Sequence, residues 1–432
     1  MKLNSRSWDG GNARALAAEL RAGAPDHSDL ADDVADVISK VSEGGDAVLL
    51  ELGERFDGAR AASLRVGADE LESAVADLDP TLRAALDVAA DNIRSVARAQ
   101  LDLAPRTAEL PQGHHVVLRE LPVRAAAIYA PGGRAVYPSS VLMGVLPARE
   151  AGVERVVVAS PPQEGGRPHP VVLAAAAIAG ADEVVAAGGA QAIAALACGT
   201  ETIDAVDVIA GPGGPWVQEA KLQVSRHVGI DGYAGPSELM VVCDGQANAD
   251  WVALDVCAQA EHGSDGLLVV ASPDASLLER IGERVERLAA ERPSVADAPL
   301  ELVETPDLEA AAALAEEVAP EHLQVDCADA DAIAERVGTA GCIFVGPQGA
   351  TAFGDYAAGS NHTLPTGGAG RFSGPLGPST FTRKISRVTL DAQSAGSLAG
   401  TVDAIARAEG FPVHGESARA RAENTGPAEQ SS

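Results

Sequence analysis

Apolar residues at helical spacing dominate the first hundred positions of the chain. Residues 1–24 predict a short helical arm, and residues 28–56 predict one amphipathic helix that two glycines at positions 44 and 45 interrupt. Two further helical patterns follow, at residues 68–77 and 81–99. No obvious chemistry lies in this opening segment.

From Val123 onward, short apolar runs alternate with helical segments. The first series predicts strands at residues 123–129, 155–159, 183–186 and 206–210, separated by helices at 139–151, 170–179, 190–198 and 215–228. A second series predicts strands at residues 239–243, 266–271, 302–304, 322–327 and 342–345. Strands rich in β-branched residues that alternate with helices indicate parallel sheets covered by helices. The two series therefore predict two α/β units with a boundary near Gly235-Pro236.

The alternation ends after Gly346. Residues 349–377 are rich in Gly, Pro, Ser and Thr, which predicts a long irregular loop, and loops of this length are usually functional or disordered. Its Asp355, Tyr356, Asn361 and His362 favour a functional loop. A helix is predicted at residues 398–409, and the polar tail after residue 414 is expected to fray.

Length and charge narrow the class of protein. A chain of 432 residues exceeds what one core usually supports, so two or more domains are expected. The formal net charge of -30 disfavours nucleic acid as a partner, because phosphates need a basic surface. The acidity fits either a high-salt cytoplasm or an ordinary acidic enzyme encoded by a GC-rich genome.

Neither a membrane span nor a secretory signal is visible in the sequence. No apolar stretch reaches about 20 residues, and the N-terminus has no apolar region after its basic residues, so we predict a cytoplasmic protein. The five cysteines include no C-x-x-C pair and lie mostly in apolar runs. This favours buried thiols in a reducing compartment over a nucleophilic cysteine.

Three glycine-bearing turns follow predicted strands. The common dinucleotide, P-loop and H-E-x-x-H fingerprints are missing from the chain. The turns are Tyr129-Ala-Pro-Gly-Gly133, Gly188-Gly189-Ala-Gln191 and Gly211-Pro-Gly-Gly214. Glycines at such places let a phosphate approach backbone N–H groups, but they also simply make tight turns. The turns therefore indicate either a nucleotide-binding site or merely tight connections after the strands.

Candidate ligands and bases gather in the second half of the chain. Gln259 and His262 lie three residues apart, so a helix would place them on one face, near Ser237 in a Gly-Pro-Ser turn. Further candidates lie at Glu321-His322, Asp355, His362, Glu409 and His414. Each such histidine alone is more often structural, but together they suit zinc or a similar divalent ion, and an imidazole is a natural base for an alcohol.

The residues alone leave three functional classes open. A zinc hydrolase needs a metal, a base and water, and a dehydrogenase also needs the nucleotide turns. A binding protein without catalysis would show neither hydrolase nor dehydrogenase activity. The absorbance of reduced nicotinamide after mixing with NAD would separate these classes.

The order and spacing of the motifs resembles the histidinol dehydrogenase family over residues 34–421. The matching motifs are Ile230-Asp231-x-x-Ala-Gly-Pro-Ser-Glu238, Gln259-Ala-Glu-His-Gly263, Tyr129-x-Pro-Gly-Gly133, Gly188-Gly-Ala-Gln-Ala-Ile193, Pro320-Glu-His-Leu323, Phe353-Gly-Asp-Tyr356 and Asn361-His-x-Leu-Pro-Thr366. The resemblance implies an α/β fold with two Rossmann-like, incompletely doubly wound units, small helical terminal pieces and a domain-swapped homodimer with shared active sites.

On this resemblance the chain divides into four parts. Residues 1–24 would form the N-terminal helical arm, and residues 25–128 with 239–376 a discontinuous first α/β domain that holds the zinc and catalytic residues. Residues 129–238 would form a second α/β domain with the NAD-binding turns. Residues 377–432 would form the swapped C-terminal segment with its polar tail.

The resemblance also implies a reaction and its residues. L-Histidinol would be oxidised by two NAD⁺ through L-histidinaldehyde to L-histidine, the last step of histidine biosynthesis, with Glu321 and His322 as the catalytic residues. One Zn²⁺ per subunit would be bound by Gln259, His262, Asp355 and His414, the last from the partner subunit. Those four residues with Ser237, His322, His362 and Glu409 would contact substrate. Tyr129, Gln191 and Gly214 match cofactor-contacting positions.

Two positions depart from the family pattern. The usual Gly-Pro-Gly-Asn ends in Gly214 here, and Ala258 stands where Ser is usual. The first change removes a side chain expected on the cofactor. It leaves open a relative that oxidises another primary alcohol, such as a sulfopropanediol-type substrate, with a zinc hydrolase as the more distant alternative.

Overall fold

The computed structural model describes residues 1–23, 28–132, 135–295 and 297–423. Its strands, in chain order, are β1 (Lys2–Ser7), β2 (Arg65–Val66), β3 (Arg106–Glu109), β4 (His115–Pro122), β5 (Ala125–Tyr129), β6 (Arg155–Ser160), β7 (Glu183–Ala186), β8 (Val208–Ala210), β9 (Gly229–Ile230), β10 (Glu238–Cys243), β11 (Leu267–Ser272), β12 (Pro299–Glu304), β13 (His322–Asp326), β14 (Cys342–Val345) and β15 (Thr382–Thr389).

The helices lie mostly between these strands. They are α1 (Ala13–Arg21), α2 (Ala31–Phe56), α3 (Ala68–Ala76), α4 (Pro80–Gln100), α5 (Pro138–Ala151), α6 (Pro170–Ala179), α7 (Gly189–Cys198), α8 (Pro215–Val224), α9 (Ala249–Ala260), α10 (Ala275–Glu291), α11 (Leu308–Val318), α12 (Ala330–Ala334), α13 (Thr351–Tyr356), α14 (Ala392–Ala408) and α15 (Pro412–Glu423). Short 3₁₀ turns occur at Ser28–Leu30, Ala369–Arg371 and Pro378–Phe381.

The chain folds into two compact units. The first comprises residues 1–100 and 123–381, and the second comprises residues 101–122 and 382–432. Within the described part of the chain, no helix combines the length and the apolar character needed to cross a membrane.

Two six-stranded sheets form the first unit. The β5 sheet has the order β2-β7-β6-β5-β8-β9, and the β10 sheet has the order β1-β12-β11-β10-β13-β14. All pairings are parallel except that of β2 with β7. The prediction of an α/β fold with parallel sheets is confirmed.

Hydrophobic clusters cover both faces of each sheet, and successive residues of a strand face opposite clusters. In β5, Ala126 and Ile128 pack with α5 and α6, whereas Ala127 and Tyr129 pack with α2 and α7. In β10, Met240 packs with α11 and Val241 packs with α9 and α10. Burial on both faces explains why these strands are continuous apolar runs in the sequence.

The second unit is a small α+β arrangement. Its antiparallel sheet has the order β15-β4-β3, and α14 packs on α15. The buried carboxylate of Asp403 on α14 accepts hydrogen bonds from Arg407 Nε and forms an ion pair with Arg419 of α15. The ion pair with Arg419 joins the two helices, while the Arg407 contact lies within α14.

Several predicted elements differ from the structure. The predicted helical arm is wrong for residues 2–7, which form β1 and pair with β12 nearly three hundred residues away. The predicted interruption at residues 44–45 is confirmed, because Gly45 has the non-helical angles φ 57° and ψ -142° and divides α2 into two helical segments at a kink. Helix α2, which the sequence grouped with residues 239–376, packs on α7 and α8. The predicted domain boundaries themselves remain a prediction.

The C-terminal third is more regular than its composition predicts. Helix α13 lies inside the predicted irregular loop, and α14 begins six residues before the predicted Leu398. The predicted fraying is wrong up to the end of α15, while residues 424–432 lie outside the described residues. Packing of α14 on α15 stabilises helices that this polar sequence of small residues does not predict.

Candidate active site

The amino edge of the β10 sheet brings Glu238 and the Glu321-His322 pair together. Strand β10 begins at Glu238 and β13 begins at His322, and the two strands pair in parallel with Leu239 opposite His322. Ser237 directly precedes β10 and is half-buried. The predicted catalytic pair and the predicted substrate contact Ser237 therefore lie at one edge of one sheet.

Hydrogen bonds orient the His322 ring. Its Nδ1 lies 3.1 Å from the carbonyl oxygen of Glu238 and 3.4 Å from Oε2 of Glu321. Because a carbonyl oxygen can only accept, the ring proton belongs on Nδ1. The other nitrogen, Nε2, lies 3.6 Å from Oδ1 of Asp355. This tautomer leaves Nε2 as the nitrogen that can exchange a proton with a ligand.

Burial and neighbouring charges compete at these three residues. Burial disfavours the imidazolium of His322, but the carboxylates of Glu321 and Asp355 outweigh it and raise its pKa well above the usual value. Burial raises the pKa of Glu321, although His322 and the N–H of Glu238 act in the opposite direction. Burial also opposes ionisation of Asp355, but the hydrogen bond to His322 and the charges of nearby histidines lower its pKa. The three groups titrate as one coupled set.

His362 lies next to this set. Its Nδ1 lies 2.9 Å from the carbonyl oxygen of Asp355, and its Nε2 lies 3.0 Å from Oγ of Ser140 on α5. Burial lowers the pKa of His362, so the neutral ring donates from Nδ1 and accepts the Ser140 hydroxyl proton at Nε2. Sequence reasoning missed Ser140, which carries no motif. A direct contact between Nε2 and a substrate would have to replace this bond.

The carboxamide of Gln259 is buried without a partner. Its residue is 3% exposed, and neither Oε1 nor Nε2 has a hydrogen-bond partner among the described residues. The helix predicted to include His262 ends at Ala260, so His262 lies in the following turn, where its N–H donates to the carbonyl oxygen of Gln259 at 3.2 Å. His262 is exposed, and its charge helps to lower the pKa of Asp355.

The side chains of these residues offer donor atoms of the kinds that bind a metal ion. Buried polar groups nearly always have partners, so the unpaired carboxamide of Gln259 is available to bind a ligand. With Asp355 and His262 it supplies oxygen and nitrogen donors that suit zinc. Across the described ranges, His, Cys, Asp and Glu side chains form no group of three that could bind a metal ion by themselves.

The β5 sheet has its polar features at the opposite, carboxyl edge. Strands β5 and β8 are neighbours, and they end at Tyr129 and Ala210. The chain proceeds from β5 to β6 on one side and later to β8 on the other. The carboxyl ends of β5 and β8 therefore flank a topological switch point, where open α/β sheets bind ligands. Gly133 of the first predicted turn lies outside the described residues.

Tyr129, Gln191 and an unpredicted Asp57 converge on the Gly188-Gly189 turn. The Gly189 N–H donates to Oη of Tyr129 at 3.0 Å. The Gly188 N–H and Nε2 of Gln191 each donate to Oδ2 of Asp57 at 3.3 Å. Burial raises the pKa of Asp57 to about 6, although both hydrogen bonds favour the carboxylate. Asp57 is the C-cap of α2 and carries no sequence signal, because only packing of α2 on α7 brings it here.

A buried ion pair fixes the Gly211 turn. Gly211 has φ +120°, and an added Cβ would lie 2.3 Å from the carbonyl oxygen of Tyr129, so this position requires glycine. Its N–H donates to Asp231 at 2.7 Å, and its carbonyl oxygen accepts from Lys221 at 3.0 Å. Lys221 and Asp231 are themselves paired and almost fully buried. Three residues on, Gly214 begins α8 with no atom within 4 Å of an added Cβ.

Glu409 and His414 belong to the second unit. Glu409 is the C-cap of α14, and His414 lies in α15 with its ring centroid 5.6 Å from that of Phe411. Both residues are exposed. Their predicted roles in substrate and metal binding remain predictions.

Comparisons with known proteins agree with one another. The family model described as histidinol dehydrogenase matches residues 20–422. The chain is 44% identical over 399 residues to histidinol dehydrogenase of Haloarcula marismortui, covering 91% of this chain and 93% of that one. It is 43% identical over 397 residues to that of Pseudomonas aeruginosa, covering 90% of each. A crystal structure of histidinol dehydrogenase from Elizabethkingia anophelis matches with a TM-score of 0.90 at 30% identity, covering 98% of each chain.

Proposed function

The chain belongs to the histidinol dehydrogenase family and is an NAD-dependent dehydrogenase of histidine biosynthesis, and from this premise we propose how it oxidises L-histidinol through L-histidinaldehyde to L-histidine. The observation that carries the proposal is the Glu321-His322 pair, with the His322 tautomer fixed through Nδ1. This arrangement offers one imidazole nitrogen to a substrate alcohol and one carboxylate beside it.

The first oxidation needs a base for the alcohol. His322 Nε2 would accept the hydroxyl proton while a hydride leaves the same carbon for the nicotinamide of NAD⁺, giving the aldehyde and NADH. Positioned acid–base groups of this kind contribute about 10²–10⁴-fold to rates. Once Asp355 is engaged by a cation, its carboxylate favours the imidazolium less, and the pKa of His322 falls toward the range of a useful base.

The second oxidation needs water. Glu321 would accept a proton from a water molecule as that water adds to the aldehyde carbon, while His322 returns the proton of the first step to the aldehyde oxygen, giving the hydrate. His322, neutral again, would then accept a hydroxyl proton of the hydrate while the second hydride leaves for a second NAD⁺. The product is the carboxylic acid of L-histidine, which loses its proton to water and becomes the carboxylate. Burial of both groups keeps the reactive aldehyde away from bulk solvent.

We propose that Gln259, His262, Asp355 and the partner's His414 bind one Zn²⁺ per subunit. The unpaired carboxamide of Gln259 and the half-buried carboxylate of Asp355 support this set. When bound, the zinc ion would supply a positive anchor for the amine and imidazole nitrogens of the substrate. Ser237, His362 and Glu409 would complete the substrate contacts.

We propose that NAD binds at the carboxyl edge of the β5 sheet. The switch point between β5 and β8 supports this location, as do the glycine turns at Gly188 and Gly211. Tyr129, Gln191 and Gly214 are the proposed contacts. The strand order supports a description of each sheet as an incomplete Rossmann-like unit.

We also propose a domain-swapped homodimer with shared active sites, working in the cytoplasm. A partner supplies the fourth zinc ligand that one chain lacks. Exposed apolar side chains of the second unit support burial against a partner, and they include Val388, Ile405, Phe411 and Val413. All five cysteines are free, which suits a reducing compartment.

One alternative substrate deserves a test because of Gly214. The open space beside it means that this chain lacks a side chain expected on the cofactor, so a relative that oxidises another primary alcohol, such as a sulfopropanediol-type substrate, is the second candidate. The zinc hydrolase alternative loses its basis, because the family is one of dehydrogenases.

Counting reduced cofactor tests the proposal. Purified enzyme with limiting L-histidinol and excess NAD⁺ should form two NADH per substrate, and a chelator should abolish turnover until zinc is restored. A sulfonated diol serves as the competing substrate. One NADH per histidinol, or turnover of the diol alone, would refute the proposed reaction.

A further inference from the structure

Glu238 is a buried carboxylate surrounded only by donors. Its side chain is 6% exposed. Oε1 accepts from Arg21 at 2.7 Å and from the Gly367 N–H at 2.9 Å. Oε2 accepts from Arg21 at 2.9 Å and from the Glu321 N–H at 3.2 Å. Four hydrogen bonds, two of them from the Arg21 guanidinium, stabilise a charge that would otherwise be costly to bury.

The backbone of the same residue contacts the proposed catalytic side chains. The Glu238 N–H donates to Oε2 of Glu321 at 2.7 Å, and the Glu238 carbonyl oxygen accepts from Nδ1 of His322 at 3.1 Å. The side chain of Glu238 thus fixes the backbone of Glu321, while its backbone fixes the side chains of Glu321 and His322. Glu238 therefore couples the starts of β10 and β13 through three separate groups: its carboxylate, its N–H and its carbonyl oxygen.

Arg21 stabilises the chain on the other side of Pro320. Its guanidinium donates to the carbonyl oxygen of Val318 at 2.6 and 2.9 Å, and to that of Ala319 at 3.2 Å. Ala319 has φ 48° and is the one non-glycine residue with positive φ among those the structure describes. Such a backbone is strained for alanine and persists only when neighbours hold it. Arg21 binds the chain before Pro320, and Glu238 binds it after.

We propose that Glu238, paired with Arg21, is a positioning residue for the Glu321-His322 pair. The carboxylate of Glu238 positions the Glu321 backbone. The backbone carbonyl oxygen of Glu238 keeps the His322 proton on Nδ1. This inference rests on the proposed function of that pair. Arg21 lies on α1, more than two hundred residues from Glu238, so the amino-terminal segment contributes to the geometry of the reaction.

Glu238→Gln tests the proposal with little change in size. All partners of the carboxylate are donors, so the new NH₂ group meets a donor wherever it lies. We expect kcat for histidinol to fall about 10- to 100-fold, a part of the effect of a positioned acid–base group, while KM for NAD⁺ changes less than about twofold. Glu301→Gln is the matched control, because Oε2 of Glu301 also accepts two hydrogen bonds from an arginine, Arg6, between β12 and β1. Equal losses of kcat in the two variants would overturn the proposal.

A second variant separates charge balance from positioning. Arg21→Met leaves the Glu238 carboxylate unpaired, and the double variant Arg21→Met/Glu238→Gln removes both charges. We expect the double variant to recover much of the thermal stability lost by Arg21→Met, yet to keep the low kcat. Recovery of kcat together with stability would show a structural role only. The double variant also replaces Glu238→Gln if the single variant does not fold.

A readout without turnover distinguishes this inference from the proposed reaction. In protein labelled with ¹⁵N-histidine, His322 (assigned with His322→Gln) should show a protonated, hydrogen-bonded Nδ1, and Glu238→Gln should alter that signal while Glu301→Gln preserves it. An unchanged His322 signal in Glu238→Gln refutes positioning. A wild-type enzyme that does not oxidise histidinol refutes the proposed reaction, and the Nδ1–H signal still decides the role of Glu238.

Discussion

The two large sheets share one strand order but differ in which edge bears the chemistry. From the first strand of each, the chain adds two strands on one side and then two on the other, giving β7-β6-β5-β8-β9 and β12-β11-β10-β13-β14. An additional strand, β2 or β1, pairs with the outer strand on the same side in both. In the β5 sheet the glycine turns lie at the carboxyl edge, whereas in the β10 sheet the candidate catalytic residues lie at the amino edge.

The side chains at the two switch points explain part of this difference. At the β5–β8 switch point, the carboxylate of Asp231 is balanced by the buried Lys221. At the β10–β13 switch point, Asp244 follows β10 and Asp326 is the last residue of β13. Burial and the charge of Asp244 raise the pKa of Asp326. Two carboxyl groups there disfavour an anionic ligand such as a dinucleotide. The two sheets share one strand order, so the charges at the switch points are what distinguishes them.

The strongest test of the comparison is a pair of variants at opposite ends of β13. His322→Asn at the amino edge should lower kcat about 10²–10⁴-fold, because the general base is lost. Asp326→Asn at the carboxyl edge should leave kcat within about twofold, because that edge takes no part in the chemistry. Steady-state kinetics with saturating NAD⁺ measures both. A large kcat loss in Asp326→Asn would break the assignment of chemistry to one edge.

The Lys221–Asp231 ion pair at the β5–β8 switch point should contribute mainly to the free energy of unfolding. Lys221→Met leaves Asp231 buried without its partner, so we expect unfolding free energy to fall by about 3–5 kcal/mol in denaturant titrations. The double variant Lys221→Met/Asp231→Asn should recover most of this loss. Both should raise KM for NAD⁺, since the Gly211 turn loses its support, and an unaltered KM in the double variant would argue against a cofactor role for that turn.

The pH dependence of cofactor binding should follow Asp57. Its pKa is raised to about 6 by burial, and its carboxylate accepts from Gly188 and Gln191, with the hydroxyl of Tyr129 nearby. Below that pH the protonated group accepts less well, so KM for NAD⁺ should rise as pH falls from 7 toward 5. Initial rates across this range measure the effect. Asp57→Asn should flatten the profile, and a retained midpoint near 6 would assign it to another group.

The contribution of Asp57 to stability should change with pH in the opposite direction, becoming larger as pH falls while NAD⁺ binding becomes weaker. The folded pKa of about 6 exceeds the ordinary aspartate pKa of 3.8, so the folded state binds more protons between these values. The contribution of Asp57 to stability is therefore greatest at low pH and is lost as pH rises through about 6. Relative to wild type, Asp57→Asn should gain roughly 1–2 kcal/mol between pH 5 and 7, allowing for partial solvent screening.

The smallest expected effect is at Gly214. The backbone has φ -65°, and an added Cβ meets open space, so Gly214→Asn fits without strain. A restored hydrogen bond to the cofactor should lower KM for NAD⁺ about two- to tenfold. Gly214→Ala is the matched control, because it adds the Cβ without the carboxamide. Equal KM values for the two variants would contradict a direct contact.

Much of the first unit could be predicted from the sequence because its strands are buried on both faces. Continuous β-branched runs such as 155–160 and 238–243 mark such strands without reference to their partners. Short or exposed strands could not be found this way. Strand β1 is only partly buried, and its pairing with β12 depends on a contact across the chain.

Some residues of the candidate sites could likewise be predicted from the sequence, and others could not. Motifs in the chain identified Gln259, His322 and Asp355, because those residue types at those spacings define a family. The roles of Asp57, Ser140 and Arg21 were invisible, since each meets the site only through packing of α2, α5 and α1. Long-range hydrogen bonds leave no local pattern to read.

By itself, therefore, the sequence determined the βα alternation, the family motifs and the glycine that the turn at residue 211 requires, because each follows from local sterics or from burial of a short segment. The tertiary structure alone decided that the two sheets repeat one strand order, that their candidate functional residues lie at opposite edges, and that Glu238 and Arg21 contact the chain at the start of β13. These features depend on which distant segments pack together, and packing is a property of the whole chain.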